Sequence, residues 1–283
     1  MTEARIAGHG GYLQEESEPL TDLKPVVKEA TGQVVRRVGR FISLALVGAA
    51  RCLGGRTPPP ETAVYFTTGS GDFEVTVEVL EHLFRDGFPP KPLSFINTVS
   101  NAACFYVAKQ FGLGGRSTCI GNRAFGFEAT LQLALLDLKT GVVKSALVGS
   151  ADIVIAPLET HRRRLGQPPG APIAEAAHWL WLTAEGDGPA VEAVRFFQAR
   201  ADLLAWIADQ GFDPAATLLA APPGLAAETG LARPFDYLAG KPFHDSAAAR
   251  AASAFLEAAR PGERLLHIAT DHDGRYAAFT VRA

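Results

Sequence analysis

Three short apolar segments in the first half each end on or run into glycine, and helix-length patterns alternate with them. They are TAVYFTT over 62–68, STCIG over Ser117–Gly121 and SALVG over 145–149. A strand or helix with an apolar side must bury it against another layer, so regular alternation of the two predicts a layered α/β fold. The helical patterns between them are amphipathic. In 34–53, Val38, Phe41, Ile42, Ala45 and Leu46 fall on one face, and Gly54-Gly55 then ends the helix. Residues 73–85 form a second helix. Residues 97–111 form a third, with so little polar surface that burial is expected. Residues 124–139 form a fourth, with Phe127, Leu131, Leu135 and Leu138 at helical spacing. Strand ends that meet glycine and a helix start are where α/β proteins usually place their sites.

The rest of the chain is read less sharply. A short strand is expected at 5–8, before a polar stretch. Residues 157–173 are charged and rich in Pro and Gly, which reads as a loop or linker. Strands follow at 177–182, 190–196, 217–221, 265–270 and 277–281, with helices at 198–210 and 245–259. The sequence shows no repeat. With 283 residues, 47% hydrophobic and 20% charged, the chain can bury a large core, and disorder throughout is excluded. We expect one unit over 1–283, with halves near 1–160 and 174–283.

A net charge of −3 gives no electrostatic reason to expect nucleic-acid binding. No apolar run reaches the length of a membrane-spanning helix. The first residues lack the basic-then-apolar order of a signal peptide. Cys52, Cys104 and Cys119 are odd in number and unrelated in spacing, which suggests free thiols in a reducing cytoplasm. Neither a dinucleotide fingerprint nor a phosphate loop is present, so no cofactor is expected. Asp271-His272-Asp273 has no second cluster at ligand spacing, so it reads as a solvated turn and no metal is expected. The run His161-Arg162-Arg163-Arg164 reads as solvated surface, with docking of an acidic partner as the functional alternative.

Residues 94–152 carry a resemblance. Asn101-Ala102-Ala103, Gly112 to Gly115, the strand Ser117–Gly121 and the stretch from Gly141 to Gly149 follow one another as in a β-ketoacyl synthase, a condensing enzyme of the thiolase fold. The upstream YFTTGSGDFEVTVEVLEHL is similar to that family's first βα unit. The branch it most resembles is small and is found beside ketosynthases in polyene and polyketide pathways. The resemblance implies a thiolase-like α-β-α-β-α sandwich, here in a compact version. Arg116 stands where the family has Pro, and only Gly141 survives of its Gly-x-Ala-Asp.

The resemblance also places the nucleophile. The family's Cys lies nine residues after one glycine marker and seventeen before another; counted from Gly115 and from Gly141, both land on Ala124. A methyl group cannot form the thioester that condensation needs. Of the two histidines that the family uses, the first is replaced by Pro222-Pro223-Gly224, and the second matches His244. The family's Lys is Ala239 here, with Lys241 nearby, and its C-terminal glycine-rich turn is Thr270 to Gly274.

No catalytic residue is therefore expected. Ala124, Phe125, Phe127 and His244 mark a vestigial site, where Phe125 and Phe127 either plug the pocket or are plain core. By the resemblance, such a subunit pairs with an active ketosynthase, with an acyl carrier protein as a further partner. Pairing would run through Ser117, Thr118, Cys119, Ile120 and Gly121. Phe95 and the residues near Asn97 would cap the partner's acyl tunnel, Phe95 being otherwise an ordinary core residue. One alternative is a homodimeric enzyme that transfers acyl groups without a covalent intermediate, with His244 as general base. Another uses Cys104 or Cys119 as nucleophile, with His244 or His272.

Overall fold

The opening strand, β1, runs over Ala4–Glu15, well past the apolar stretch that announced it. Its polar half is ordered because it pairs antiparallel with a buried strand, Gly8 to Glu15 facing Trp181 to Ala174. The computed structural model describes residues 3–16, 20–122 and 124–283. Arg123, beside the expected nucleophile position, lies outside the described residues.

After β1 come α1 (Leu23–Thr31), α2 (Arg40–Leu53), β2 (Ala63–Thr68), α3 (Phe73–Phe84), α4 (Pro92–Asn97) and α5 (Ala102–Phe111). Then come β3 (Ser117–Gly121), α6 (Gly126–Lys139), β4 (Ser145–Asp152), α7 (Leu158–Arg164) and β5 (Ala174–Thr183). The second half has β6 (Ala190–Phe197), α8 (Arg200–Asp209), β7 (Thr217–Ala220), α9 (Ala226–Thr229), α10 (Ala247–Ala258), β8 (Arg264–Thr270) and β9 (Tyr276–Arg282).

The strands form one sheet in the order β3-β2-β4-β5-β1-β6-β9-β8-β7. The order hides a repeat. In the first half, β1 lies antiparallel to β5, β5 antiparallel to β4, and β4 parallel to β2. In the second half, β6 lies antiparallel to β9, β9 antiparallel to β8, and β8 parallel to β7. The halves meet where Ala4 and Arg5 of β1 pair with Val191 and Ala190 of β6. Among the described residues, the second half lacks a counterpart of β3; the short α9 and loops occupy that part of the chain.

Side chains alternate across a strand, so each half-sheet feeds two cores. Tyr65 of β2, Val148 of β4 and Leu180 of β5 pack with Phe127 and Leu131 of α6 and Phe255 of α10. Leu265 of β8 and Phe279 of β9 close the same core from the other half. Helices α6 and α10 are thus the middle layer. The neighbours Phe66, Leu147 and Trp179 face outward onto Phe41 and Leu44 of α2 and Val107 of α5. On the far side, Leu266 and Ile268 of β8 pack against Leu203 and Ile207 of α8. The result is the expected α-β-α-β-α sandwich. At its tightest point Trp179 lies flat over Gly149, where a Cβ would stand 2.0 Å from the indole.

Several expectations are corrected. Residues 157–173 are not simply a loop: they hold α7, whose Arg162 is buried in ion pairs with Glu16 and Glu159. That run is therefore only partly solvated surface. The helix expected from residue 34 starts at Arg40, whose guanidinium makes a two-point contact with the buried Glu175 carboxylate at 2.5 and 2.7 Å. The helix expected over 97–111 begins only at Ala102, as α5; residues 98–101 form a turn that separates it from α4. It is not wholly buried either, since Phe105 stands in solvent.

Candidate functional site

Strands β2, β3 and β4 run parallel to one another, as do β7 and β8, and the carboxyl ends of both sets line one cleft. There α6 and α10 begin, and the cleft, of about 760 Å³, opens between the two halves. Its walls include Thr67 near the end of β2 and Gly69 just after it, Ala124 to Glu128 at the start of α6, and Ser150 and Asp152 of β4. Asp245 and Ala247 before and within α10, Tyr237, and His267 to His272 complete it.

The entry to α6 is sharp. Phe125, its N-cap residue, has φ 57° and ψ 26°, the left-handed conformation. For a residue with a Cβ this costs on the order of 1–2 kcal/mol. The turn presses α6 against β2, so a Cβ on Gly126 would lie 2.5 Å from the Thr67 hydroxyl. The ring of Phe125 meets Phe196 edge-on at 6.1 Å and separates the cleft from a smaller pocket of about 300 Å³. Ala124 lines both.

Two buried acids face this space. Asp152 accepts hydrogen bonds from the Thr68 hydroxyl (2.7 Å), the Gly69 amide (2.8 Å), the Ser70 amide (3.2 Å) and the Ser246 hydroxyl (3.3 Å). Burial, and next the charge of Asp245, push its carboxyl up to about 7. Asp245 is held by Arg164 at 2.5 Å. Glu128, in the first turn of α6, is buried and pushed by that burial up to about 7. Its Oε1 lies 3.7 Å from Nδ1 of the buried His267, which burial lowers to about 3. Both shifts favour the neutral forms, so this contact joins a carboxylic acid to a neutral imidazole and is not an ion pair.

Ala124, Phe125 and Phe127 come together on the cleft wall. Phe127 also packs edge-on to Phe279 at 5.9 Å in the middle layer. His244 does not join them, which corrects its reading as a general base. Its ring is fully buried, stacked on His178 at 5.5 Å, and neither nitrogen has a hydrogen-bond partner. Burial, and next the charge of Arg250, lower it to about 3. Cys104 and Cys119 line no part of the cleft; the Cys104 thiol points at the Thr118 carbonyl, 3.7 Å away. A thiol-to-thiol hydrogen bond with Cys119, followed by burial, raises Cys104 strongly and so removes its nucleophilic form. His272 stands exposed at the cleft rim, beside the turn that Asp271 organises by accepting from the Asp273 and Arg275 amides.

The residues placed for a partner lie elsewhere. Ser117 to Gly121 form the edge strand of the sheet, paired on one side only, with β2. Phe95 is 60% exposed on α4, so it is no core residue, whereas Asn97 is buried and donates to the Arg37 carbonyl at 3.4 Å. On α3, α4 and α5, Phe73, Leu80, Phe84, Ile96 and Phe105 are exposed, as is Phe88 after α3, and α3 buries only Val79.

Glu128, Asp152, Tyr237 and His267 were missed in the sequence. The available signal was an acid one residue from Phe127, on the apolar side of a helix read as amphipathic, and a histidine inside the strand LLHIAT.

Solved structures of low identity share this fold over nearly their whole length. The ishigamide ketosynthase/chain length factor is 17% identical, with a TM-score of 0.73, covering 99% of this chain and 99% of that one. A type II polyketide synthase acyl-carrier protein in complex with its ketosynthase, bound to the hexaketide, is 13% identical, with a TM-score of 0.73 and 100% of both chains covered. A β-ketoacyl synthase from Burkholderia phymatum is 14% identical, with a TM-score of 0.69, covering 100% of this chain and 99% of that one. No protein-family model and no curated protein matches the chain. At these identities the likeness is one of fold: the chain has the thiolase-like fold of β-ketoacyl synthases and is similar in structure to ketosynthase/chain length factor proteins.

Proposed function

We propose that this chain is a chain-length-factor-like subunit, which pairs with an active β-ketoacyl synthase in polyketide or fatty-acid-like synthesis and shapes its acyl tunnel. The observation that carries the reading is the set of exposed large apolar side chains on α3, α4 and α5, of which α5 packs beside the edge strand β3. Phe84 is 84% exposed and Phe95 60%, within a band of large apolar side chains on α3, α4 and α5. Contiguous apolar surface of this kind marks a protein interaction site. An edge strand with free backbone groups adds a template for a partner strand. The likeness to a ketosynthase/chain length factor structure supports a ketosynthase as the occupant.

The cleft agrees with a subunit that does not condense. Ala124 puts a methyl group at the entry to α6, and the cleft wall holds no cysteine among the described residues. No thioester intermediate forms there. His244 supplies no base, so acyl transfer without a covalent intermediate loses its proposed residue. The resemblance assigns Ser117 to Gly121 to strand pairing and Phe95 to the partner's tunnel, and the exposure of Phe95 suits that role. Tagged protein drawn from its native host, with the intact complex weighed and its components identified, tests the reading. A one-to-one complex with a ketosynthase chain that keeps its cysteine and both histidines is expected. A homodimer with no such companion overturns it.

A further inference from the structure

Pairing with a ketosynthase makes no use of Glu128 and His267. Both are buried, and both face the cleft. Glu128 Oε1 and His267 Nδ1 have no hydrogen-bond partner, although a buried polar atom ordinarily has one. They lie 3.7 Å apart, too far for a direct hydrogen bond. Neither atom is open to water as the cleft stands, so an oxygen bonds to both, at about 2.8 Å each, as the two side chains part to admit it.

The surroundings restrict what that oxygen belongs to. His267 is sandwiched: Phe279 stacks on it at 4.6 Å and Tyr237 meets it edge-on at 5.7 Å. Arg164 is the one cation among the described residues lining the cleft, and it is held by Asp245. A ligand carboxylate would therefore stand unpaired beside Glu128, at a high desolvation cost. A neutral carboxyl donates, and a neutral imidazole nitrogen donates or accepts according to its tautomer. A hydroxyl group both donates and accepts, so it satisfies the two atoms in either tautomer. A carbonyl oxygen would need two donors.

We propose that Glu128 and His267 form a hydroxyl-recognition site, so that the cleft takes an uncharged acyl chain carrying a hydroxyl along its length in preference to a saturated one. This rests on reading the cleft as an acyl site, and the acid and the imidazole are then positioning residues for the chain, with no bond made or broken.

The test is calorimetric titration of the purified full-length chain with decanoyl-N-acetylcysteamine and with its 3-, 5- and 7-hydroxy derivatives. At least one hydroxylated thioester binds about tenfold or more tighter than the saturated one, as one satisfied buried hydrogen bond predicts. Glu128→Leu removes that preference. Glu128→Gln, which keeps a donor and an acceptor, retains most of it, and His267→Phe removes it in the same way as Glu128→Leu. Melting curves of each variant confirm that it is folded. Equal affinity for all four probes overturns the hydroxyl site, an ordered water alone then bridging the pair, while the acyl cleft stands. Binding of none of them overturns both. A preference untouched by Glu128→Leu and His267→Phe assigns it to other residues and refutes the proposal. None of these outcomes bears on the partner, which the mass of the native complex decides separately.

Discussion

Replacing Glu128 by glutamine is expected to stabilise the chain at alkaline pH and to do little at acid pH. The carboxyl is buried with no cation beside it, and burial moves its pKa from an ordinary 4.5 to about 7. Between those two values the folded chain holds a proton that the unfolded chain has released. Stability therefore falls as pH rises through this window, by about 1.4 kcal/mol per pH unit. Over the whole window the loss is about 3 kcal/mol, complete above pH 7. Glutamine has nearly the same shape and no charge to expose, so the variant escapes the loss. A chain of 283 residues unfolds with an entropy of about 0.6 kcal/mol/K, so the gain corresponds to roughly 5 °C in Tm. Thermal unfolding of both proteins at pH 5 and pH 8.5 measures it. The difference in Tm should be near zero at pH 5 and about 5 °C at pH 8.5. Asp152 titrates in the same range, but it is present in both proteins and cancels in the comparison. Parallel Tm curves across this pH range would refute the assignment of Glu128 as a buried, unpaired acid.

Gly149→Ala places a methyl group 2.0 Å from the Trp179 indole and should cost about 3 kcal/mol, read as a lower urea midpoint; an unchanged midpoint means that the indole moves freely. Histidines 178 and 244 are buried neutral and lowered, so the unfolded chain takes up their protons first as pH falls below 6.5. Their contribution is lost on the acid side, and His244→Phe should flatten the acid limb of the stability curve by about 1.4 kcal/mol per pH unit relative to the parent. Phe84→Glu should abolish recovery of the ketosynthase chain from the native host while leaving the Tm of the isolated subunit within a degree or so, because the side chain is 84% exposed. Phe95→Ala should lengthen the products of the pair, as read by mass spectrometry; unchanged products would remove Phe95 from the tunnel.

Much of the architecture was legible because it rests on local periodicity. The strand β3 was read with its observed bounds, and α6 to within two residues, because glycines bracket them and their apolar spacing is regular. The count that reached Ala124 lands beside the left-handed turn at Phe125, where the chain enters α6. Errors arose where distant partners overrode local signals. The polar half of β1 is a strand only because β5 lies beside it, and α7 forms where Arg162 finds Glu16 from across the chain. The exposed face of α3 reads in sequence like any core helix, since hydrophobic spacing does not say what covers it.

By itself, the sequence determined the layered α/β class and the resemblance to a ketosynthase. Each of these lies in residue identity and in spacing along a short stretch of chain. The tertiary structure alone decided that His244 is sealed against His178, that Glu128 meets His267 across the middle layer, and that Phe95 stands in solvent. Glu128 and His267 are far apart in the chain, and His178 and His244 sit on different elements. Burial, which sets the protonation of all four, is a property of packing between layers, and no local pattern encodes it.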